Sequence, residues 1–404
     1  MKKTGKNRYY VPGFRAGAVK AGVRYKNRLD LGIIIADGPV PSAGIFTNNR
    51  VKAPSVISNR TKLRGGLAQA VLVNSGNANT CVGPRGKEDV KKCADAVANK
   101  AGIKTGLVLT SSTGVIGEPL NTKNIIEAVP SLIAAAGPYG FEDFSRAIMT
   151  TDTFAKVAIR KVRTGTKTAT IVGTAKGAGM IMPNMATMLA YVLTDAEMSP
   201  EALRHVLDKA ARDSFNAVTV DGDTSTSDTL IMMASGKSGA APDKKASTLK
   251  SFQEAVNDLC LELAKSIAKD GEGATKMFEV TVTGAKSFRD ADKVARRIAN
   301  SPLVKTAFHA GDPNWGRVMM AVGSAGVAIQ PDRIGVRFEL GKKMVSVVEK
   351  GACALSYSEK KAAEILAGDG FRVAVDLGQG NDSRTIYTCD LSADYVRINA
   401  DYRS

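Results

Sequence analysis

Histidine is nearly absent from this chain, with only His205 and His309 among 404 residues. A Ser-His-acid or Cys-His triad would have to use one of them, and neither stands near a GxSxG or comparable nucleophile turn. There is no HExxH pair, no Walker-type phosphate loop and no GxGxxG opening a helix. Zinc-assisted hydrolysis, phosphoryl transfer and dinucleotide chemistry therefore lack sequence support, and no metal site is expected. The five cysteines at 81, 93, 260, 353 and 389 are an odd number without a CxxC pair, which argues against a disulfide framework or a zinc site and for reduced thiols. Aromatics are few: one Trp, nine Tyr and twelve Phe, never interleaved with basic residues. The net charge of +17 is spread along the whole chain, so it reads as solvated basic faces and not as a nucleic-acid surface. No apolar run approaches the roughly 20 residues that cross a bilayer. The basic start, MKKTGKNRYY, is not followed by an apolar core. The expectation is a soluble, cytoplasmic protein with neither a membrane nor a nucleic acid as partner.

With 44% hydrophobic residues the chain can bury a large core. The N-terminal part is expected to be rich in strands and turns: GIIIADGPVPSAGIFT, PSVIS and AQAVLVNSGNAN are apolar runs closed by Gly, Pro or Asn. An amphipathic helix is expected from about Glu88 to Ala101, with Val90, Cys93, Ala94 and Val97 on one face. GLVLTSSTGVIGEPL reads as a strand ending in a turn of small polar residues, and Asn121 as the cap of the next helix. Lys156 to Val172 contains GTKT and is expected as a hairpin. Ser199 and Pro200 stand in cap and first-turn order for a helix reaching about Ser214. The loop GKSGAAPDKKAS is the clearest boundary candidate, separating an expected region 1–240 from a region 241–404 of a long helix plus a smaller α/β part. An α/β architecture of layered sheets and covering helices fits this mixture.

The most informative stretch is KGAGMIMPNMATMLAYVLTDA, Lys176 to Ala196. Thr187 follows a Gly/Pro/Asn-rich approach and precedes an apolar run, Met188 to Leu193, that reads as a buried strand. If the Ala186–Thr187 bond is cut, the new α-amino group has a pKa of about 7.7–8.0 and can serve as base to the adjacent hydroxyl. The same hydroxyl can make the cut by attacking the preceding carbonyl. Composition and spacing alone still favour an ordinary packed threonine at this place, and methionines 180, 182, 185 and 188 as core filler.

The stretch closely resembles the self-cleavage segment of the ornithine acetyltransferase family, the bifunctional glutamate N-acetyltransferase/amino-acid acetyltransferases of arginine biosynthesis. The resemblance continues through GIFTNNRVKAPSV, VNSGNANTCVG, SSTGVIG, MTTDTFAK, SFNAVTVDGDTSTSDT, DGEGATK, GDPNWGRV and CDLSADYVRINADYRS. It implies a layered αββα sandwich core of the self-cleaving threonine-nucleophile type with a smaller C-terminal α/β domain. It implies cleavage before Thr187 into fragments 1–186 and 187–404, held together as an α2β2 heterotetramer. The implied reaction is ping-pong: Thr187 takes the acetyl group of N-acetylornithine, ornithine leaves, and glutamate accepts the acetyl group. No cofactor is implied; some members also use acetyl-CoA as a second acetyl donor. Carried over by position, Thr113 and Gly114 match the oxyanion-hole pair. Thr153, Lys176, Thr187, Glu272, Asn399 and Ser404 match the substrate-binding positions, with serine at 404 where many members end in threonine. These types suit a zwitterionic amino acid, which needs an ammonium for its carboxylate and a carboxylate for its amine. An amidase or aminopeptidase on the same self-cleaving threonine plan and an uncut basic binding protein are the competing readings.

Overall fold

The structure, a computed structural model, describes residues 8–182 and 188–400. The chain divides into two compact units, residues 1–216 with 224–264 and residues 217–223 with 265–404. The first unit contains β1 (Phe14–Val19), β2 (Leu31–Phe46), α1 (Pro54–Lys62), β3 (Leu67–Asn77), α2 (Arg85–Ala101), β4 (Val108–Val115), α3 (Thr122–Ala135), α4 (Phe141–Ala147), β5 (Lys156–Thr164), β6 (Lys167–Lys176), β7 (Leu189–Thr194), α5 (Pro200–Asp213), β8 (Thr229–Ala234) and most of α6 (Ala246–Lys269).

Strand β2 organises this unit. Its first half pairs with β1 and β3, its second half with β8, and the register shifts between Ile35 and Val40 around Asp37-Gly38-Pro39. Pro39 and Pro41 cannot donate to a ladder, so the strand bends here and the order β4-β3-β2-β8-β7-β6-β5 folds over on itself. The two halves face each other across one apolar layer. Ile34, Val71, Val73 and Leu109 from one half share a core with Val172, Leu189, Tyr191, Ile231 and Met233 from the other. The alternate residues Ile33, Ile35, Leu72 and Val108 point outward and pack under α2 and α3 through Val97, Ile125, Val129 and Leu132. On the far side Gly173 of β6 leaves room for Leu259 and Leu263 of α6, and α5 packs on β2 and β8. The layers are thus helix, sheet, sheet, helix, the αββα sandwich expected from the resemblance.

Local signals explain most element ends. Ser199 accepts from the Ala202 amide at the start of α5, and Asn121 accepts from the Asn124 amide at the start of α3. The hairpin of β5 and β6 closes through Gly165 at φ +63°. All six residues of β7 are buried, the pattern of a strand covered on both faces. Two expected elements differ, and Met180, expected as core filler, is exposed. PSVIS begins α1 and is not a strand, because Pro54 occupies the first helical turn and Val56 is drawn into the core. Ser111 to Val115 is not a turn; it continues β4, paired in parallel with Val73 to Asn77.

The second unit is a mixed six-stranded sheet, β12-β11-β10-β13-β9-β14. Its elements are β9 (Met277–Ala285), α7 (Phe288–Ala299), α8 (Pro302–Ala310), α9 (Trp315–Gly323), β10 (Gly335–Leu340), β11 (Lys343–Glu349), β12 (Ala352–Cys353), α10 (Glu359–Leu366), β13 (Phe371–Asp376), β14 (Asp382–Cys389) and α11 (Ala393–Ala400). Phe278 stacks on Phe371 at 5.2 Å, and Phe308 meets both edge-on. The excursion 217–223 joins this unit because buried Lys305 donates to Val220 O at 2.6 Å and Thr219 bonds Asn300. Among the described residues no helix is long and apolar enough to cross a membrane.

Phe144, fully buried in the layer between the two half-sheets, meets Tyr191 edge-on at 5.3 Å. Phe144→Ala should lower stability by about 3–5 kcal/mol, read as a shift of the urea midpoint; an unchanged midpoint would contradict this packing.

Candidate active site

In the first unit the ends of β3 and β4 lie side by side, Ser75 against Thr113 and Gly76 against Gly114. Gly114 has φ +128°, and a Cβ there would stand 2.4 Å from the carbonyl carbon of Gly76. Only glycine allows this approach. Thr113 is nearly buried beside it. A backbone without side-chain cover next to a hydroxyl is suited to meeting a developing oxyanion.

Lys176, the last residue of β6, is buried and donates to Thr150 Oγ1 at 2.9 Å. Asp152 braces both ends of that contact: its Oδ2 accepts the Thr150 amide at 3.0 Å, and its Oδ1 accepts the Gly177 amide at 2.7 Å. The same Oδ1 takes the Lys156 ammonium at 2.7 Å, and neither side chain of that pair has any exposed surface. Burial alone would raise the pKa of Asp152, but Lys156, Lys176 and the hydrogen bonds outweigh it and hold the carboxyl below the usual carboxylate range. Removing one partner of such a pair costs about 3–5 kcal/mol, because the other is left charged and buried.

Arg28 connects this network to β3, donating to Ser75 O, Met149 O and Thr150 O at 3.0–3.2 Å. Thr113, Ser75, Arg28, Thr150 and Lys176 are therefore linked in sequence by strand pairing and hydrogen bonds. Thr153, exposed and next to Asp152, lines a cavity of about 1300 Å³ together with Arg28, Thr150 and Asp152. That volume exceeds what one amino acid fills.

Asp228 stands immediately before β8. Thr229 donates to Met188 O at 2.9 Å, and Thr47 donates to Asp228 O at 3.1 Å. The Asp228 carboxyl is almost completely buried, and its Oδ2 has no hydrogen-bond partner among the described residues. Burial pushes it well above the usual carboxylate range; the Ser225 and Thr47 hydroxyls, Lys176 and the Met188 amide only partly oppose this. A buried acid thus lies close to the residue that follows Thr187.

In the second unit Asn399 of α11 donates to Glu272 Oε2 at 2.8 Å. The loop that carries Glu272 is anchored by Asp390, which accepts from the Thr275 amide and hydroxyl, the Lys276 amide and His309 Nδ1 at 2.5–3.1 Å. Burial would raise its pKa, yet these hydrogen bonds hold Asp390 below the usual range. Thr275, His309 and Asp390 look like a triad in composition. Their geometry differs, since Thr275 donates to the carboxylate, and the cluster serves to hold the Glu272 loop.

Of the residues singled out in the sequence, Thr113, Gly114, Lys176 and Thr153 belong to one connected region of the first unit, and Glu272 meets Asn399 in the second. Thr187 and Ser404 lie outside the described residues. Sequence reasoning did not single out Arg28, Thr150, Asp152, Lys156, Asp228 or Asp390. Asp152 and Asp228 stand inside MTTDTFAK and TSTSDT, but the meaning of each depends on partners that only the fold supplies.

The family model described as the ArgJ family matches residues 15–404. A relative from Geobacter sulfurreducens called arginine biosynthesis bifunctional protein ArgJ is 47% identical over 98% of this chain and 100% of its own. A protein of the same name from Rhizobium meliloti is 45% identical over 97% of this chain and 95% of its own. A crystal structure of arginine biosynthesis bifunctional protein ArgJ from Bacillus halodurans, 38% identical, aligns over 52% of this chain and 97% of that one with a TM-score of 0.49.

The raised pKa of Asp228 has a consequence for stability. A carboxyl held protonated in the fold contributes fully below its unfolded pKa, near 3.9, and that contribution is lost as pH rises toward the folded value. Asp228→Asn cannot ionise and keeps a donor and an acceptor. Its melting temperature relative to the unsubstituted protein should therefore climb as pH rises above about 4; a pH-independent difference would contradict the burial.

Proposed function

The chain belongs to the ArgJ family, and from that premise we propose that it is a self-processing acetyltransferase acting in the cytoplasm. It moves the acetyl group of N2-acetylornithine to glutamate and releases ornithine and N-acetylglutamate, the acetyl-recycling step of arginine biosynthesis. The observation that carries this reading is the ordered set of motifs shared with the family along nearly the whole chain, 47% identical to a named bifunctional relative.

The chemistry begins at the Ala186–Thr187 bond. The Thr187 hydroxyl attacks the Ala186 carbonyl carbon, the C–N bond breaks, and water resolves the resulting ester, leaving Thr187 with a free amine. That amine, with a pKa of about 7.7–8.0, takes the proton of the hydroxyl as it attacks the acetyl carbonyl of N-acetylornithine. The oxyanion that forms is met by Thr113 and Gly114, and a donor of this kind is worth about 2.7–4 kcal/mol of barrier. Ornithine departs as the amine, and the amino group of glutamate attacks the acetyl-threonine ester to restore the hydroxyl. Lys176 takes a substrate carboxylate, Glu272 a substrate ammonium, and Thr153, Asn399 and Ser404 orient the remainder. Its buried position next to a polar network suits Lys176 to this task, because a partly desolvated ammonium binds a carboxylate more strongly than an exposed one.

The fragments 1–186 and 187–404 stay together as an α2β2 heterotetramer, with no metal and no resident cofactor. Acetyl-CoA serves as a second acetyl donor, as the word bifunctional in the relatives' names suggests.

Thr187→Ala should remain a single chain of 42.5 kDa on a denaturing gel and lose acetyl transfer, whereas the unsubstituted protein runs as two fragments. An uncut variant with full activity would refute the assignment. Purified protein should also acetylate glutamate from acetyl-CoA; absence of that turnover beside normal transfer from N-acetylornithine would make the enzyme monofunctional.

A further inference from the structure

We propose that Asp152 is the positioning residue for the Lys176 ammonium, a role that rests on the reading of Lys176 as a substrate-carboxylate ligand. Two independent restraints lead from this one carboxyl to that one lysine. The first acts on the side chain: Thr150 presents its hydroxyl to Lys176 Nζ at 2.9 Å while its own amide is held by Asp152 Oδ2 at 3.0 Å. The second acts on the backbone: the Gly177 amide, directly after Lys176, is held by Asp152 Oδ1 at 2.7 Å. Asp152 therefore grips Lys176 from its tip and from its root.

Lys156 makes this grip affordable in the interior. It meets Asp152 at 2.7 Å with no exposed surface on either side chain, and its ammonium also lies 4.8 Å from the centre of the Phe154 ring. The carboxylate is ion-paired to Lys156, and its hydrogen bonds to the Thr150 and Gly177 amides carry its hold to Lys176. The Thr150 hydroxyl fixes the tip of Lys176 and the Gly177 amide fixes the backbone beside it. The turn between α4 and β5 provides the geometry: the Asp152 carboxylate reaches back to the amide of Thr150, two residues before it, and Lys156 follows four residues later at the start of β5.

The test uses the full chain and two variants. Asp152→Asn removes the charge but leaves Lys156 buried without its counter-ion, so its loss of stability is expected and does not decide the matter. The double variant Asp152→Asn with Lys156→Gln removes both charges together and is the deciding protein. It should fold and cut itself, with KM for N-acetylornithine and for glutamate raised about tenfold and kcat changed less than about threefold, the split that marks lost uniform binding. In the same protein, labelling of Lys176 by an amine-reactive reagent, followed by peptide mass spectrometry, should become faster. Unchanged KM and unchanged labelling in the double variant would overturn the role of Asp152, as would a fall in kcat with KM unaltered. If the unsubstituted protein itself fails to transfer acetyl from N-acetylornithine, the proposed function falls, and the labelling of Lys176 still decides whether Asp152 positions it.

Discussion

A carboxylate and an ammonium sealed from water, Asp152 against Lys156, set the terms for the candidate site in the first unit. Each charge taken out of water carries a desolvation penalty of several kcal/mol, and their attraction offsets it only when the remaining hydrogen-bonding capacity is used as well. Here it is used: two backbone amides complete the Asp152 carboxylate, and those amides belong to Thr150 and Gly177, the two groups that fix Lys176. The penalty is met and the site is built by the same bonds. This links the energetics of the interior to the placement of a charged side chain.

The sandwich makes such an arrangement possible. Because β2 runs through both half-sheets, the inner faces of β3, β4, β6, β7 and β8 share one layer, apolar through Val73, Leu109, Val172 and Tyr191. Along these strands the side chains change from apolar to polar: Val73 is followed by Ser75, Leu109 by Ser111 and Thr113, and Val172 by Thr174 and Lys176, each spaced by two so as to keep the same face. The sheet register then sets Ser75 beside Thr113, and Gly76 beside Gly114, where any side chain would strike the neighbouring backbone. Asp228 enters from β8 with a raised pKa, while Asp152 is held low. Two carboxyls of one unit thus respond in opposite directions, one dominated by burial and the other by lysines and amide donors. The second unit repeats the device with Asp390, whose four donors include two backbone amides and which anchors the loop carrying Glu272.

Much of the fold could be read from local chemistry. The caps at Asn121 and Ser199, the hairpin at Gly165 and the buried strand after Met188 are short-range signals, and each stands where it was expected. The failures share a cause. PSVIS has the composition of a strand, but Pro54 starts a helix and Val56 finds a core partner there. SSTGV has the composition of a turn, but a parallel neighbour, β3, supplies the ladder that turns it into a strand. In both cases a tertiary contact overrode a weak local preference.

The candidate residues divide along the same line. Thr187, Lys176, Thr113, Gly114 and Glu272 could be picked out because their motifs are contiguous and survive as words in the sequence. So the sequence by itself determined the family and the nucleophile candidate. Arg28, Asp152, Lys156 and Asp228 could not be picked out, because an arginine, an aspartate or a lysine in a linear chain is most often a solvated charge. Only the tertiary structure decided that Asp152, Lys156 and Asp228 were buried, which carboxyl faced which cation, and hence which way the pKa of each of the two carboxyls moved; burial and pairing are properties of the space between strands, and no stretch of sequence contains that space.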